Sequence, residues 1–250
     1  MGDKIAVVCG GSKGIGKAIV DRLLEDAQYS VIYSVSRTKP NDKLLYSKAQ
    51  KHSSEYIEIS CDVESPEEVQ SLCVSIQKRS QSVHLLVNTV GFLWNAQYMP
   101  EKNIRDVGLE QLLLSVQKNT WPSLSLIQNL LPVLRHKEEL KIAFFSARVG
   151  SISDNNLGGW YSYRISKAAL NMAMRNISIE LSRRNPRLCC FGYHPGTVDT
   201  NLSRPFTKRY TKNPIFTPQQ AAEFFCSVVQ PRKPEENGLF FDWKGEVVEF

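Results

Sequence analysis

The chain is short of the features that mark several whole classes of protein. No apolar run approaches the roughly 20 residues that a membrane-spanning helix needs. Cysteine is sparse: Cys9, Cys61, Cys73, Cys189, Cys190 and Cys226 are the only six in 250 residues. None of them forms a C-x-x-C pair, and His52, His84, His136 and His194 lack metal-ligand spacing. Neither a disulfide framework nor a metal site is expected, and adjacent Cys189 and Cys190 read as small buried hydrophobes. No Gly/Ser-rich linker divides the chain. The composition, 42% hydrophobic and 22% charged, excludes a disordered, collagen-like or coiled-coil protein. A secretory leader is not expected, because strand-like Ile5-Ala6-Val7-Val8 starts almost at once. Met1-Gly2 opens like a myristoylation signal, but Ala6 stands where that signal wants Ser or Thr. A reducing, cytoplasmic compartment is the expectation. An excess of one charge sign is also missing: 31 Lys+Arg against 25 Asp+Glu leaves +6. Arg183, Arg184, Arg204, Lys208, Arg209 and Lys212 are split between a helix end and an irregular segment, with no aromatic platform for bases. Nucleic acid is therefore not an expected partner, and neither is a membrane.

What the chain does hold is alternation. Short, continuous apolar runs at 5–9, 31–35, 56–60, 83–87, 142–146 and 187–193 predict buried strands, with a last strand or hairpin over 239–242 and 247–250. Between them, helices are expected over 15–24, after Ser65-Pro66-Glu67-Glu68, over 109–134 and 163–182, and after Thr217-Pro218. That order predicts one α/β domain over 1–250, a doubly wound parallel sheet of about seven strands covered by helices. Two stretches, 92–105 and 201–216, break the pattern and read as binding loops.

Chemistry begins after the first strand, at Cys9-Gly10-Gly11-Ser12-Lys13-Gly14-Ile15-Gly16. Glycines at a strand–helix junction let backbone amides approach a phosphate where the helix dipole favours negative charge. The spacing Gly10-xxx-Gly14-x-Gly16 is neither G-x-G-x-x-G nor a P-loop. Ser36 and Arg37 end the second strand, and no acid lies between Ser30 and Asn41. An acid there would bind the ribose hydroxyls of NAD, whereas a cation suits the 2′-phosphate of NADP. Lys13 and Arg37 therefore point to NADP(H) over NAD(H). Further on, Tyr163-Arg164-Ile165-Ser166-Lys167 puts a phenol and an ammonium on one helix face. A neighbouring ammonium favours the phenolate, which would lower a pKa that is ordinarily near 10.

The loop spacing, and the order in which these motifs occur, resemble the short-chain dehydrogenase/reductase family, whose loop reads Thr-Gly-xxx-Gly-x-Gly. Cys9 stands in place of its threonine. The segments 146–152, Gly158-Gly159-Trp160-Tyr161, 194–200 and 238–243 are similar to the C-factor-like branch, close to the carbonyl reductases. The resemblance implies a Rossmann-type fold and a cofactor site of Gly10, Ser12, Lys13, Gly14, Ile15, Gly16, Ser36 and Arg37. It adds Asp62 and Val63 at the adenine, and Asn88 and Gly91 after the fourth strand, where Thr89 and Val90 depart from Asn-Asn-Ala-Gly. It further assigns Pro195, Gly196, Thr197, Val198 and Thr200 to the nicotinamide and phosphates.

For catalysis it implies Tyr163 as proton donor, Lys167 beside it, and Asn119 supporting a relay water. The family's serine falls on Ala147. Ser146 is the substitute assigned here, with Ser151 and Ser153 as alternatives. His194, at a strand end, is read as structural. The implied reaction reduces a ketone or aldehyde to an alcohol, or the reverse, beneath a lid over 201–217, in a homodimer or homotetramer. The alternative is a non-catalytic NAD(P)-binding signalling protein of C-factor type, motivated by Ala147.

Overall fold

The computed structural model describes residues 4–207 and 214–250. Its strands are β1 (Ile5–Cys9), β2 (Val31–Ser36), β3 (Glu55–Ser60), β4 (Leu85–Asn88), β5 (Leu140–Phe145), β6 (Leu188–His194), β7 (Thr197–Val198), β8 (Ile215–Phe216) and β9 (Phe240–Asp242). The helices are α1 (Gly14–Asp26), α2 (Lys43–Lys51), α3 (Pro66–Gln77), α4 (Leu109–Asn119), α5 (Trp121–Leu134), α6 (Tyr161–Ser182), α7 (Arg204–Thr207) and α8 (Pro218–Val229). Seven strands form a wholly parallel sheet in the order β3-β2-β1-β4-β5-β6-β9, while β7 pairs with β8 apart from it.

The parallel sheet follows from strands that are apolar on both faces. Every residue of β1 is buried. On one face, α3, α5 and α6 contribute Val69, Leu72, Leu126, Leu130, Met174 and Ile177 to the core. On the other, α1, α2 and α8 contribute Ile19, Leu23, Leu45, Ala222 and Phe225. Cys189 and Cys190, being consecutive on a strand, point into opposite layers. All six cysteines are buried free thiols that pack as apolar groups.

Short β7, α7 and β8 were not expected, and three longer segments also differ from the sequence expectation. The helix expected over 109–134 is two helices that meet at Thr120, whose φ is −106° and ψ −50°. Pro122 explains the break: it has no N–H for the Lys118 carbonyl, and its ring crowds the preceding turn. Helix α2 was not expected at all. It starts on Asp42, which accepts from Leu44 N at 3.1 Å and Leu45 N at 3.3 Å, and it buries only Leu45 and Ala49. So few apolar residues gave no periodic signal. The expected 247–250 strand reduces to one antiparallel bridge, Phe241 to Val247.

The order of strands reverses between β1 and β4. In open parallel sheets the crevice outside the strands' carboxyl ends, at such a reversal, receives ligands. Here that edge carries Cys9 beside Asn88, and Ser36 beside Ser60.

Candidate active site

The loop after β1 is built by contacts that only glycine permits. A Cβ on Gly10 would lie 2.3 Å from Thr89 Oγ1, and one on Gly16 would lie 2.3 Å from the Gly10 carbonyl oxygen. Gly10 and Gly14 also have φ of +87° and +55°. Gly10 N and Gly11 N both donate to the Val35 carbonyl, at 2.8 and 3.2 Å. The hydroxyl missing at Cys9 has a counterpart across the sheet, since Thr89 Oγ1 donates to the Cys9 carbonyl at 2.8 Å. Helices α2, α3 and α8 are capped by the side chains of Asp42, Ser65 and Thr217. At the head of α1 stands Lys13, which supplies no capping bond. The positive end of α1 is thus open on the crevice, with Ser12 and Ile15 half-buried around it.

Beside this loop, Ser36 Oγ donates to the Thr38 carbonyl at 2.6 Å and Ser60 Oγ to the Arg37 carbonyl at 3.0 Å. These bonds hold the turn after β2 with the Arg37 side chain exposed, and neither Arg37 nor Lys13 is paired with a carboxylate among the described residues. After β3, Asp62 Oδ1 accepts from Glu64 N at 3.0 Å, and Val63 is buried behind it. After β4, Asn88 Oδ1 accepts from Val90 N while Nδ2 donates to Ser123 Oγ, both at 3.0 Å. After β6, Pro195 and Gly196 turn the chain into β7, and a Cβ on Gly14 would sit 3.6 Å from Thr200 Cγ2. The 194–200 segment therefore abuts the glycine loop. Of the lid expected over 201–217, residues 208–213, including Lys208, Arg209 and Lys212, lie outside the described residues.

Tyr163 and Lys167 are both buried on one face of α6. Lys167 Nζ lies 5.8 Å from the Tyr163 ring centroid and donates to the Phe145 carbonyl at 2.9 Å. Burial pushes the Lys167 ammonium down to about 8 and holds the Tyr163 phenol above its ordinary value. The expected lowering of the phenol is therefore not the balance in this structure; desolvation outweighs the ammonium. Asn119, at the end of α4, accepts from Phe92 N at 2.7 Å and donates to the Phe92 carbonyl at 2.8 Å and to Ser166 Oγ at 2.9 Å. A Cβ on Gly91 would meet Asn119 Oδ1 at 3.5 Å and Lys167 Nζ at 3.6 Å. Gly91, Asn119 and Lys167 thus converge.

The serines are placed elsewhere. Ser146 Oγ donates to Asn171 Oδ1 at 2.6 Å, one turn beyond Lys167, and Ala147 is extended with φ −148° and ψ 147°. Ser151 Oγ accepts from Asp154 N at 3.1 Å, and Ser153 Oγ donates to the Phe250 carbonyl at 2.7 Å. No serine hydroxyl bonds the Tyr163 phenol among the described residues. Burial, with Arg148 nearby, pushes His194 down to about 4, so it is a neutral imidazole and a weak base near pH 7.

Two tryptophans make contacts here, and one acid escaped the sequence reading. Trp160, with φ +52°, stands edge-on to Tyr163 at 6.2 Å and against Phe206 at 5.0 Å. Trp94 Nε1 donates to the Leu202 carbonyl at 2.9 Å, so the two irregular segments meet. Glu101, 2% exposed, bonds the first turn of α6. A lone acid in an irregular stretch carries no periodic or spacing signal.

Residues 4–211 match the family model described as short chain dehydrogenase. The chain belongs to the short-chain dehydrogenase family. This short-chain dehydrogenase is 32% identical over 184 residues (74% of the chain and 76% of the relative) to 1-hydroxy-2-glutathionyl-2-methyl-3-butene dehydrogenase of Rhodococcus sp. strain AD45. It is 31% identical over 168 residues (66% of the chain, 92% of the relative) to the C-signal of Myxococcus xanthus. The NADPH-bound carbonyl reductase from chicken fatty liver superposes with a TM-score of 0.83 at 25% identity, covering 100% of both chains. The Rossmann-type sheet and the C-factor-like and carbonyl-reductase-like resemblance read from the motifs agree with these findings.

Proposed function

We propose that this short-chain dehydrogenase is an NADP(H)-dependent oxidoreductase that interconverts a ketone or aldehyde and its alcohol. The observation that carries this is the buried phenol–ammonium pair of Tyr163 and Lys167, meeting Gly91 and Asn119 beside the glycine loop. A buried lysine is costly in the fold, and a chemical role accounts for it. NADP(H) rather than NAD(H) is favoured by Lys13 at the open end of α1 and Arg37 after β2, cations without a carboxylate partner among the described residues. The NADPH carried by the chicken relative is in accord.

The residues fit the group. Gly10, Ser12, Lys13, Gly14, Ile15 and Gly16 would hold its phosphates, Ser36 and Arg37 the 2′-phosphate, Asp62 and Val63 the adenine. Asn88, Gly91, Pro195, Gly196, Thr197, Val198 and Thr200 would hold the remainder. When bound, the nicotinamide supplies or accepts the hydride. Tyr163 gives its phenolic proton to the substrate oxygen or takes it back. Lys167 keeps a positive charge beside the phenol below about pH 8 and replenishes the proton. Asn119 fixes the 92–105 segment through Phe92 and stands beside Lys167 as support for a relay water. Ser146 lines the same helix face through Asn171; to hold a carbonyl oxygen it would give up that bond. Aromatic Trp94, Trp160 and Phe206 at the mouth suit an apolar carbonyl compound. Exposed Ile165, Met172 and Ile179 recur every seventh residue along α6, which packs against α4 with its own exposed Leu109 and Leu113, and these favour a homodimer or homotetramer.

Purified protein, NADPH and a panel of ketones and aldehydes test this. Carbonyl-dependent NADPH oxidation is expected, falling about 10²–10⁴-fold in Tyr163→Phe; unchanged oxidation in that variant refutes the mechanism. Ala147 in the serine position, Ser146 turned to Asn171 and the similarity to the C-signal favour a second reading, a cofactor-binding signalling protein. It predicts NADPH binding with no turnover on the panel.

A further inference from the structure

The first turn of α6 is held from 61 residues upstream. The Glu101 carboxylate accepts from Ser162 N through Oε1 at 3.3 Å and Oε2 at 3.2 Å, and Ser162 Oγ also donates to Oε1. The main chain of Glu101 grips the same turn: its carbonyl accepts from Trp160 N at 2.6 Å. No lysine or arginine pairs with Glu101 among the described residues. Burying a carboxyl group away from water is costly unless its oxygens are bonded. The three hydrogen bonds from Ser162, at the positive end of a 22-residue helix, are what satisfy it here.

That is a costly way to cap a helix. Helices α2, α3 and α8 use a local Asp42, Ser65 or Thr217 at the cap position. In α6 the cap position is Trp160, which has no side-chain oxygen and whose ring faces Tyr163 and Phe206. With that position occupied by an aromatic wall, the capping acid comes from the 92–105 segment. The segment is anchored at its other end too, because Asn119 bonds both backbone groups of Phe92. Tyr163 immediately follows Ser162.

We propose that Glu101 is a positioning residue: it clamps residues 160–162 so that Tyr163 meets the substrate oxygen at the right depth and rotation. This rests on the oxidoreductase reading above. A displacement of about 1 Å at a reacting group costs on the order of 10²-fold in rate, so a clamp of this kind is read in kcat and not in cofactor affinity.

Five proteins test it: wild type, Glu101→Gln, Glu101→Ala, Ser162→Ala and the double variant of the last two. Steady-state reduction with NADPH and with 4-deuterated NADPH gives kcat, KM and the isotope effect. NADPH fluorescence titration gives cofactor affinity, and hydrogen exchange follows a peptide spanning 159–165. The expectation is a kcat reduced about tenfold in Glu101→Gln and up to about 10²-fold in Glu101→Ala, with NADPH affinity unchanged. A slowed chemical step should raise the isotope effect, and exchange should rise in 159–165. Ser162→Ala should lose less, and combined with Glu101→Ala should add nothing, since both remove one contact. A smaller folded fraction would instead lower kcat with an unchanged isotope effect and raise exchange throughout the chain, which overturns the proposal. Unchanged kcat in Glu101→Ala overturns it as well. The exchange arm needs no substrate. If wild type turns over no carbonyl compound, the oxidoreductase reading fails, and unchanged protection of 159–165 in Glu101→Ala then overturns the clamp separately.

Discussion

Lys167 carries its charge where charge is disfavoured. Its pKa falls from 10.5 to about 8 through burial, a shift worth roughly 3 kcal/mol. The unfolded chain binds the proton more tightly than the folded one, so stability is expected to rise with pH through the window from about 8 to 10.5. Below about pH 8 this group contributes no slope. Lys167→Met removes the buried charge and also the bond to Phe145, worth about 1 kcal/mol. A thermal midpoint raised by several degrees at pH 7 is expected, together with loss of carbonyl reduction; a lowered midpoint in calorimetry would show that the hydrogen bond outweighs the burial. For wild type, the reduction rate should decline as pH rises through about 8. The Tyr163–Lys167 spacing was legible because helical periodicity alone puts the two on one face. The raised phenol was not, because it depends on how much of the surrounding protein excludes water.

Elements were legible wherever one local rule dominated. Ser65-Pro66 and Thr217-Pro218 announced α3 and α8, and the structure has the bonds those residues imply. Where rules competed, the reading erred: the apolar period continued across 109–134 while Pro122 interrupted the backbone. At α2 the cap Asp42 was the stronger signal, and it also pairs with Lys17 at 2.8 Å. Asp42→Ala should cost about 1 kcal/mol, seen as a lower urea midpoint with KM for NADPH unchanged. Gly16→Ala is different in kind. Its Cβ would meet a backbone oxygen at 2.3 Å, so the loop itself must move. NADPH affinity is expected to fall more than tenfold, measured by fluorescence titration; retention of full affinity would separate the loop from the cofactor.

At the scale of the whole molecule, strand order decides where chemistry can occur. The segments after β1, β2, β3, β4, β5 and β6 are distant in sequence, yet all end on the carboxyl edge of one sheet. The opposite edge has its own cavities, about 270 and 670 Å³, both lined in part by Lys4, Gln28, Tyr29, His84 and Glu139. Neither is lined by a residue of the candidate site. The charge of +6 is likewise a question of place: Lys13 stands at the open head of α1, and Arg37 follows β2 on the same carboxyl edge of the sheet. NADPH at 100 times its Kd should stabilise the fold by about 2.7 kcal/mol. Arg37→Glu should lose most of that protection with NADPH while keeping or gaining it with NADH, as thermal shift would show. Equal protection of wild type by both cofactors would remove the case for NADP(H).

By itself the sequence determined the parallel α/β class, the glycine loop, and the pairing of Tyr163 with Lys167. Each rests on a period or spacing within one element, which local sterics and helix geometry impose directly. Only the tertiary structure decided that Ser146 turns to Asn171, that burial governs both members of the Tyr163–Lys167 pair, and that Glu101 caps α6. These depend on which segments the sheet order brings into contact and on how much water they displace, and neither is written in any short stretch of chain.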